Sequence, residues 1–149
     1  MQKITPYLWF NGRAEEAMNF YVSVFEDAVV VNVNRIGDNI VTGSFRLFGQ
    51  EFMVLDGGPM FSFSPAISFF VNCATQEEVD KLWTRLVDGG EEQSCGWLTD
   101  KFGLSWQIIP SALGKMMNSN DASAAHRVMQ AMLKMKKIII SDLEAAYAG

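Results

Sequence analysis

Two stretches of the sequence decide the fold: residues 14–21 read AEEAMNFY, and residues 76–83 read QEEVDKLW. Each stretch carries a Glu-Glu pair in the first turn of a predicted helix, where the helix dipole favours anions. Each also carries an apolar–aromatic pair two turns in, on the apolar stripe of the helix. Any two amphipathic helices share some of this likeness, so the neighbouring elements must decide whether a unit is repeated.

The elements around these two helices follow the same order, because each helix comes after one strand-like run and before three. Runs of β-branched and aromatic residues, separated by turns that contain Gly, Asn or Asp, mark the strands. The first helix (14–25) lies among runs at 4–10, 28–35, 40–48 and 51–56. The second helix (76–87) lies among runs at 66–71, 91–93, 95–98 and 104–109. The shared order predicts two copies of a βαβββ module.

The predicted fold class is therefore α+β, in a single domain that spans residues 1–149. The first module covers about 1–58, the second about 64–110, and a helical extension covers 111–149. Two such modules can pair their sheets into a curved, half-open, barrel-like mixed sheet with the helices outside and a cavity within. The extension is too apolar for a free tail, so it packs either on its own domain or on a partner subunit. Its apolar residues include Val128, Met129, Met132, Leu133 and Met135.

Strand alternation predicts which side chains face the cavity, since successive residues point to opposite faces of a sheet. On the fifth strand, Ile67, Phe69 and Val71 are expected to face the helix. The inward set comes from the first, fourth, fifth and eighth strands: Thr5, Tyr7, Trp9, Glu51, Met53, Leu55, Ala66, Ser68, Phe70, Ser105, Gln107 and Ile109. Two carboxylates near the cavity mouth, Glu51 and Asp56, could act as a general base if desolvated.

The composition is that of a globular chain: 149 residues, 49% hydrophobic and 19% charged, with a formal net charge of −5. A negative chain without a long Lys/Arg run is poorly suited to neutralise phosphates, so nucleic acid is not an expected partner. No apolar stretch approaches the roughly 18 residues that span a membrane, and no secretory signal is visible. Two cysteines, Cys73 and Cys95, are too few for a disulfide framework. We expect a cytoplasmic protein with no membrane partner.

Several local strings resemble the vicinal-oxygen-chelate superfamily, which includes glyoxalases, ring-cleaving dioxygenases and bleomycin-resistance proteins. Residues 19–21 (NFY) resemble its Phe-Tyr pair near the end of the first helix. Residues 100–107 (DKFGLSWQ) resemble its Asp-Pro-x-Gly-x-x-Trp-Glu turn and strand. The closer resemblance is to the PhnB-like branch, through LWF at 8–10, GGE at 89–91, CGWL at 95–98 and RVMQAM at 127–132. This resemblance covers nearly the whole chain and implies the same two-module fold.

Members of the PhnB-like branch are often labelled demethylubiquinone methyltransferase-like. A methyltransferase of the usual kind carries a Gly-rich turn between a strand and a helix, in an alternating α/β order, to bind its cofactor. This sequence has no such motif, so we expect no cofactor of that kind.

The resemblance also implies a divalent metal, held by His, Glu or Gln on the first, fourth, fifth and eighth strands. The matching positions here are about Thr5, Met53, Ala66 and Gln107. Gln107 alone offers a plausible ligand atom, a carboxamide oxygen, whereas transition metals prefer imidazole, carboxylate or thiolate. The one histidine, His126, falls in the C-terminal extension. We therefore expect no metal and no other cofactor.

The leading hypothesis is a metal-free protein that binds a small molecule of unknown identity. Its expected ligand-binding residues are Tyr7, Trp9, Met53, Ser68, Phe70, Trp97 and Gln107, which combine aromatic stacking area with one amide. A second hypothesis is a lyase- or dioxygenase-like enzyme with a reduced or shifted metal site. A third is a structural or interaction module. Relatives commonly pair, so the resemblance also implies a homodimer.

Overall fold

The repeat is present in the structure, a computed structural model that describes residues 2–149 except for the side chains of residues 40 and 41. The first module contains β1 (Tyr7–Phe10), α1 (Ala14–Val24), β2 (Ala28–Ile36), β3 (Asn39–Leu47) and β4 (Gln50–Asp56). The second contains β5 (Ser68–Cys73), α2 (Gln76–Val87), β6 (Glu91–Glu92), β7 (Trp97–Thr99) and β8 (Ser105–Pro110). The extension contains α3 (Ser111–Met117), α4 (Ala122–Met132) and α5 (Ile140–Ala148).

Both modules pair their strands in the same order. The first sheet runs β1-β4-β3-β2 and the second runs β5-β8-β7-β6. In each sheet the first and last strands of the module are parallel, and the other neighbours are antiparallel. The predicted α+β class, with two βαβββ modules and a helical extension, is confirmed.

The chain forms two compact units, one ending at Phe63 and the other running Ser64–Gly149, and the extension belongs to the second. The single domain with a half-open, barrel-like sheet therefore stays a prediction. No helix within residues 2–149 is both long and apolar enough to cross a membrane.

The core of the first module lies between α1 and one face of its sheet. Met18 and Tyr21 of α1 are fully buried, and the Tyr21 ring lies 5.7 Å from that of Phe45 on β3. Phe45 stacks in turn on Phe52 of β4 at 5.1 Å. Gly43 leaves room for the helix, because a Cβ there would lie 2.7 Å from the Met18 Cε atom. Close helix–sheet packing therefore requires glycine at this position.

The core of the second module repeats this arrangement. α2 begins at a capping box, in which the Thr75 side chain accepts a hydrogen bond from the Glu78 N–H. The Glu78 carboxylate accepts one from the Ala74 N–H in return. On the sheet, Phe69 and Trp106 meet edge to face at 5.3 Å, which places Phe69 on the helix side as predicted. The buried α2 residues are Val79, Leu82, Trp83 and Leu86.

The start of β5 differs from the prediction. β5 begins at Ser68, because residues 64–67 form a turn in which the Ile67 N–H donates to the Ser64 carbonyl. Ile67 is 71% exposed, so the prediction that it faces the helix is wrong. Ala66 precedes β5 for the same reason. Thr5 likewise precedes β1, which begins at Tyr7.

The extension packs on the second module of its own chain. Its cluster is built around Ile109 of β8 and the buried extension residues Leu113, Val128, Ile138 and Leu143. Ile109 lies on the same face of β8 as Gln107, as predicted, but the extension covers it and leaves it only 7% exposed. Sequence alternation gave its strand face, but it could not show that the extension covers that position. Of the apolar residues noted on the extension, Met129 and Leu133 remain exposed.

Candidate functional site

The face of the second sheet that lies away from α2, here called the open face, brings four of the predicted ligand residues together. β5, β8 and β7 align Phe70, Gln107 and Trp97 in one cross-strand row. Side chains in such a row lie about 5 Å apart and can contact one ligand. The Gln107 Nε2 donates to the Ser68 Oγ at 2.9 Å, one step along β5 from Phe70. These four residues, Ser68, Phe70, Trp97 and Gln107, are called the cross-strand row.

The cross-strand row offers both a polar group and apolar area. Phe70 is 53% exposed, while Gln107 and Trp97 are half-buried. Ser68 holds the Gln107 amide by its nitrogen, and no group within residues 2–149 donates to the amide oxygen. An amide held in this way presents an acceptor between two aromatic rings, an arrangement suited to a planar, hydroxylated ligand.

The first module places the remaining predicted residues on its own open face. Tyr7 pairs in register with Met53, and Met53 pairs with Ser44. Tyr7 is 49% exposed, so its ring is accessible. A polar pair lies on the same face, where the Asn34 side chain donates to the Thr42 hydroxyl at 2.9 Å.

Trp9 of the first module is engaged by the loop that follows β4. Its indole N–H donates to the Gly58 carbonyl at 2.9 Å, and its ring meets Phe61 at 5.0 Å. The ring also lies against Gly57, where a Cβ would come within 2.4 Å of it. Trp9 therefore anchors this loop to β1, and a ligand would have access to its ring but not to its N–H.

The two carboxylates considered as a general base have structural partners. The Asp56 carboxylate accepts the Ala14 N–H at 2.9 Å, which satisfies a free donor at the start of α1. Glu51 lies 3.9 Å from Arg46 across the β3–β4 pair. Neither carboxylate is therefore in the desolvated environment that a general base would need.

Asp100 explains much of the sequence similarity in residues 100–107. This carboxylate is 2% exposed, and its Oδ1 accepts from the N–H groups of Phe102 and Leu104. Its Oδ2 accepts from the Trp106 indole at 2.9 Å. The Asp-x-x-Gly-x-x-Trp pattern is thus a folding device, in which one buried carboxylate closes the turn and fixes the tryptophan of the next strand.

The residues at the inherited metal positions do not fit a metal. Thr5 and Ala66 precede β1 and β5, so the register pairs Met53 with Tyr7 and Gln107 with Phe70 instead. Across residues 2–149, no three His, Cys, Asp or Glu side chains lie close enough together to hold an ion. His126 is exposed on α4. Neither the Met53 thioether beside Tyr7 nor the Gln107 amide beside Phe70 offers a good donor set for a divalent transition metal.

The two thiols are free and differ in environment. Burial raises the pKa of Cys73 to about 12, with a further contribution from the negative charge of Glu78. Cys73 is therefore protonated and unreactive at neutral pH. Cys95 is half-buried in a left-handed backbone conformation, with φ at 61°.

A surface cleft of about 520 Å³ that was not predicted from the sequence lies on the helix side of the second module. The Trp83 indole at its base donates to the Glu92 carboxylate at 3.0 Å. The cleft mixes positive and negative side chains from α2, β6 and the extension, so no single ligand charge is favoured. Its lining residues are Trp83, Thr84, Arg85, Val87, Asp88, Glu92 and Lys137.

The two βαβββ modules are those that the sequence resemblance implies, and comparison with known proteins identifies the family. The family described as 3-demethylubiquinone-9 3-methyltransferase matches residues 2–109, and the chain belongs to it. The PhnB protein of Bacillus cereus is 39% identical, over 73% of this chain and 99% of that chain, with a TM-score of 0.69. The PhnB-like resemblance is confirmed.

Two more distant solved structures share the fold. A Pseudomonas aeruginosa protein is 22% identical, over 74% of this chain and 98% of that chain, with a TM-score of 0.62. A gene product from Arabidopsis thaliana is 21% identical, over 71% of this chain and 96% of that chain, with a TM-score of 0.52. Among curated proteins, none matches.

Replacing Asp100 by Ala should destabilise the protein by about 3–5 kcal/mol, because three donors lose one buried acceptor. The stability of Asp100→Asn should lie between those of the wild type and Asp100→Ala, since one amide oxygen can still accept from the turn N–H groups. The guanidinium midpoint followed by circular dichroism measures the change. Asp88→Ala, at an exposed aspartate, is the control. Equal midpoints for Asp100→Ala and this control would contradict a structural role for Asp100.

Proposed function

We propose that this PhnB-like protein binds a small molecule on the open face of its second module, without a metal. The observation that carries the proposal is the Gln107 amide, fixed by Ser68 and set between Phe70 and Trp97. A buried core position would be filled by an apolar residue, and a simple surface would not hold an amide between two rings. The arrangement is typical of a recognition site.

The chemistry of the cross-strand row favours a planar ligand with a hydroxyl group. Phe70 and Trp97 supply ring faces for stacking, and the Gln107 oxygen can accept from a hydroxyl. The remaining N–H of the same amide can donate to an oxygen of the ligand. The chain's net charge of −5 disfavours strongly anionic ligands at long range.

We propose separately that Tyr7, Trp9 and Met53 are ligand-contact residues on the open face of the first module. Tyr7 contributes an exposed ring with a hydroxyl, and Met53 beside it contributes an adaptable apolar surface. The Trp9 ring adds apolar area while its N–H holds the loop after β4.

The methyltransferase description of the family is not part of this proposal. The described strands form two mixed sheets of order β1-β4-β3-β2 and β5-β8-β7-β6. Methyl donors are bound elsewhere by Gly-rich turns at the carboxyl ends of doubly wound parallel sheets. Support for methyl transfer would therefore have to come from an activity measurement.

A lyase- or dioxygenase-like enzyme with a reduced or shifted metal site is the second candidate. The observation in its favour is the position of Gln107, whose amide oxygen is available on the strand where the family places a metal ligand. Such a site would need further ligands from water, substrate or another subunit.

We also propose a homodimer that works in the cytoplasm. β2 is an edge strand of nine residues, and Val29, Val31 and Ile36 on it are 47%, 44% and 74% exposed. Exposed apolar edges of this kind are covered in stable proteins. Two free thiols suit a reducing compartment.

Replacing Gln107 by Ala should weaken binding of planar hydroxylated aromatics roughly tenfold, because a desolvated hydrogen bond is lost. Catechol, salicylate and 2-naphthol are suitable probes, with thermal shift for screening and calorimetry for affinity. Phe70→Ala should weaken the same ligands, and Gln93→Ala, at an exposed glutamine, should not. The proposal fails if no probe binds, or if all three variants bind as the wild type does.

Metal analysis separates the two candidate functions. Protein purified without chelator should contain less than about a tenth of an equivalent of Mn, Fe, Co, Ni or Zn, because the donor set is unsuited to these ions. Mass spectrometry of the metals, with a known metalloprotein prepared in parallel, provides the measurement. One equivalent that is lost in Gln107→Ala would support the enzyme instead.

Light scattering after size exclusion should give a mass of twice the 16.6 kDa of one chain. Val31→Lys on the exposed edge strand should shift the protein toward the monomer, because charge opposes pairing of apolar edges. Lys3→Ala, at an exposed residue before β1, is the control. A wild-type mass of a single chain would rule out the dimer.

A further inference from the structure

The helical extension covers one end of the open face on which the cross-strand row lies. Ile109 is two residues beyond Gln107 on β8, so it points to the same face. Its side chain is buried by the extension, against Leu113, Val128 and Ile138. The extension therefore forms a wall beside the row, at the carboxyl end of β8.

A short segment of the extension reaches the loop that leads into β7. Residues 133–139, which join α4 to α5, are here called the strap. The Cys95 N–H donates to the Met135 carbonyl and the Gly96 N–H to the Lys136 carbonyl, both at 2.8 Å. These two bonds tie the strap to the turn at residues 95–96, where both residues have a positive φ.

Gly96 lies between the strap and β8, where the surrounding atoms leave no room for a side chain. A Cβ at this position would lie 2.6 Å from the Ile109 Cδ1 atom and 3.1 Å from the Ile138 Cγ1 atom. The Gly96 carbonyl accepts the Ile108 N–H at 2.8 Å on its other side. Gly96 immediately precedes Trp97, so the contacts that fix Gly96 also fix where the Trp97 side chain begins.

Gln76 at the start of α2 fastens the strap with its amide group. Its Nε2 donates to the Ile138 carbonyl at 3.0 Å, and its Oε1 accepts the Ile140 N–H at 2.7 Å. The Lys137 ammonium adds an ion pair with Asp80, at 2.9 Å. These contacts hold the strap from the side opposite the loop at residues 95–96.

The family match ends at residue 109, just before α3, so the wall beside the cross-strand row lies outside the matched residues.

We infer that the strap is a specificity device: it positions Trp97 and, with the rest of the extension, closes the Ile109 end of the open face, so that a ligand on the row can extend only a short distance along β8. This inference rests on the proposed binding function. Gln76 and Ile138 are positioning residues in this scheme, because they act on the ligand through Gly96 and Trp97.

The first test needs no ligand and uses Gln76→Ala in the full-length chain. Loss of both amide hydrogen bonds should speed amide hydrogen exchange at Cys95 and Gly96 roughly tenfold or more. Gln130→Ala, at an exposed glutamine on α4, should leave these rates unchanged. Ile138→Ala should act in the same direction as Gln76→Ala by loosening the strap from the cluster. Unchanged exchange in both Gln76→Ala and Ile138→Ala would overturn the positioning role.

The second test measures ligand length, with 2-naphthol as the short probe and 4-phenylphenol as the long one. The wild type should prefer 2-naphthol, and Gln76→Ala should improve the relative affinity for 4-phenylphenol roughly tenfold. Faster exchange with an unchanged preference would overturn the specificity role while leaving the proposed binding function intact. Failure of both probes to bind the wild type would instead overturn the binding function, and the exchange result would then decide the positioning role alone.

Discussion

A single helix can cover only one face of a sheet, and this constraint shapes both modules. α1 and α2 each bury the face that carries their aromatic partners, such as Phe45 and Trp106. The other face must then be polar, covered or occupied by a ligand. The first module uses polar pairs such as Asn34 and Thr42. The second combines a partial cover, which the extension provides, with the exposed cross-strand row.

Much of this architecture could be predicted because it depends on local signals. The repeated helices and the turn residues between strands gave the order of elements, and alternation correctly placed Phe69 on the helix side. Alternation failed at Ile67, because a hydrogen-bonded turn delays the start of β5. It also missed the burial of Ile109, because the residue pattern of a strand does not show whether a segment from elsewhere in the chain covers it.

The site was harder to predict because family patterns do not separate structural residues from those that contact a ligand. Asp100 and Trp106 belong to the most recognisable string in the sequence, yet they bond to each other in the core. Trp9 holds a loop through its indole N–H. Gln107 differs from these three, because its amide is fixed by a neighbour and still presents an acceptor at the surface.

The position of the extension has a consequence for how the chain folds as it is synthesised. Domains form from the amino terminus onward during translation, so the second module is complete before α3–α5 have emerged. Until they arrive, Ile109 and its neighbours at the end of β8 face water as an apolar surface. The nascent protein therefore passes through an interval in which that surface is open to chaperones or to other nascent chains, and the arrival of α3–α5 ends that interval.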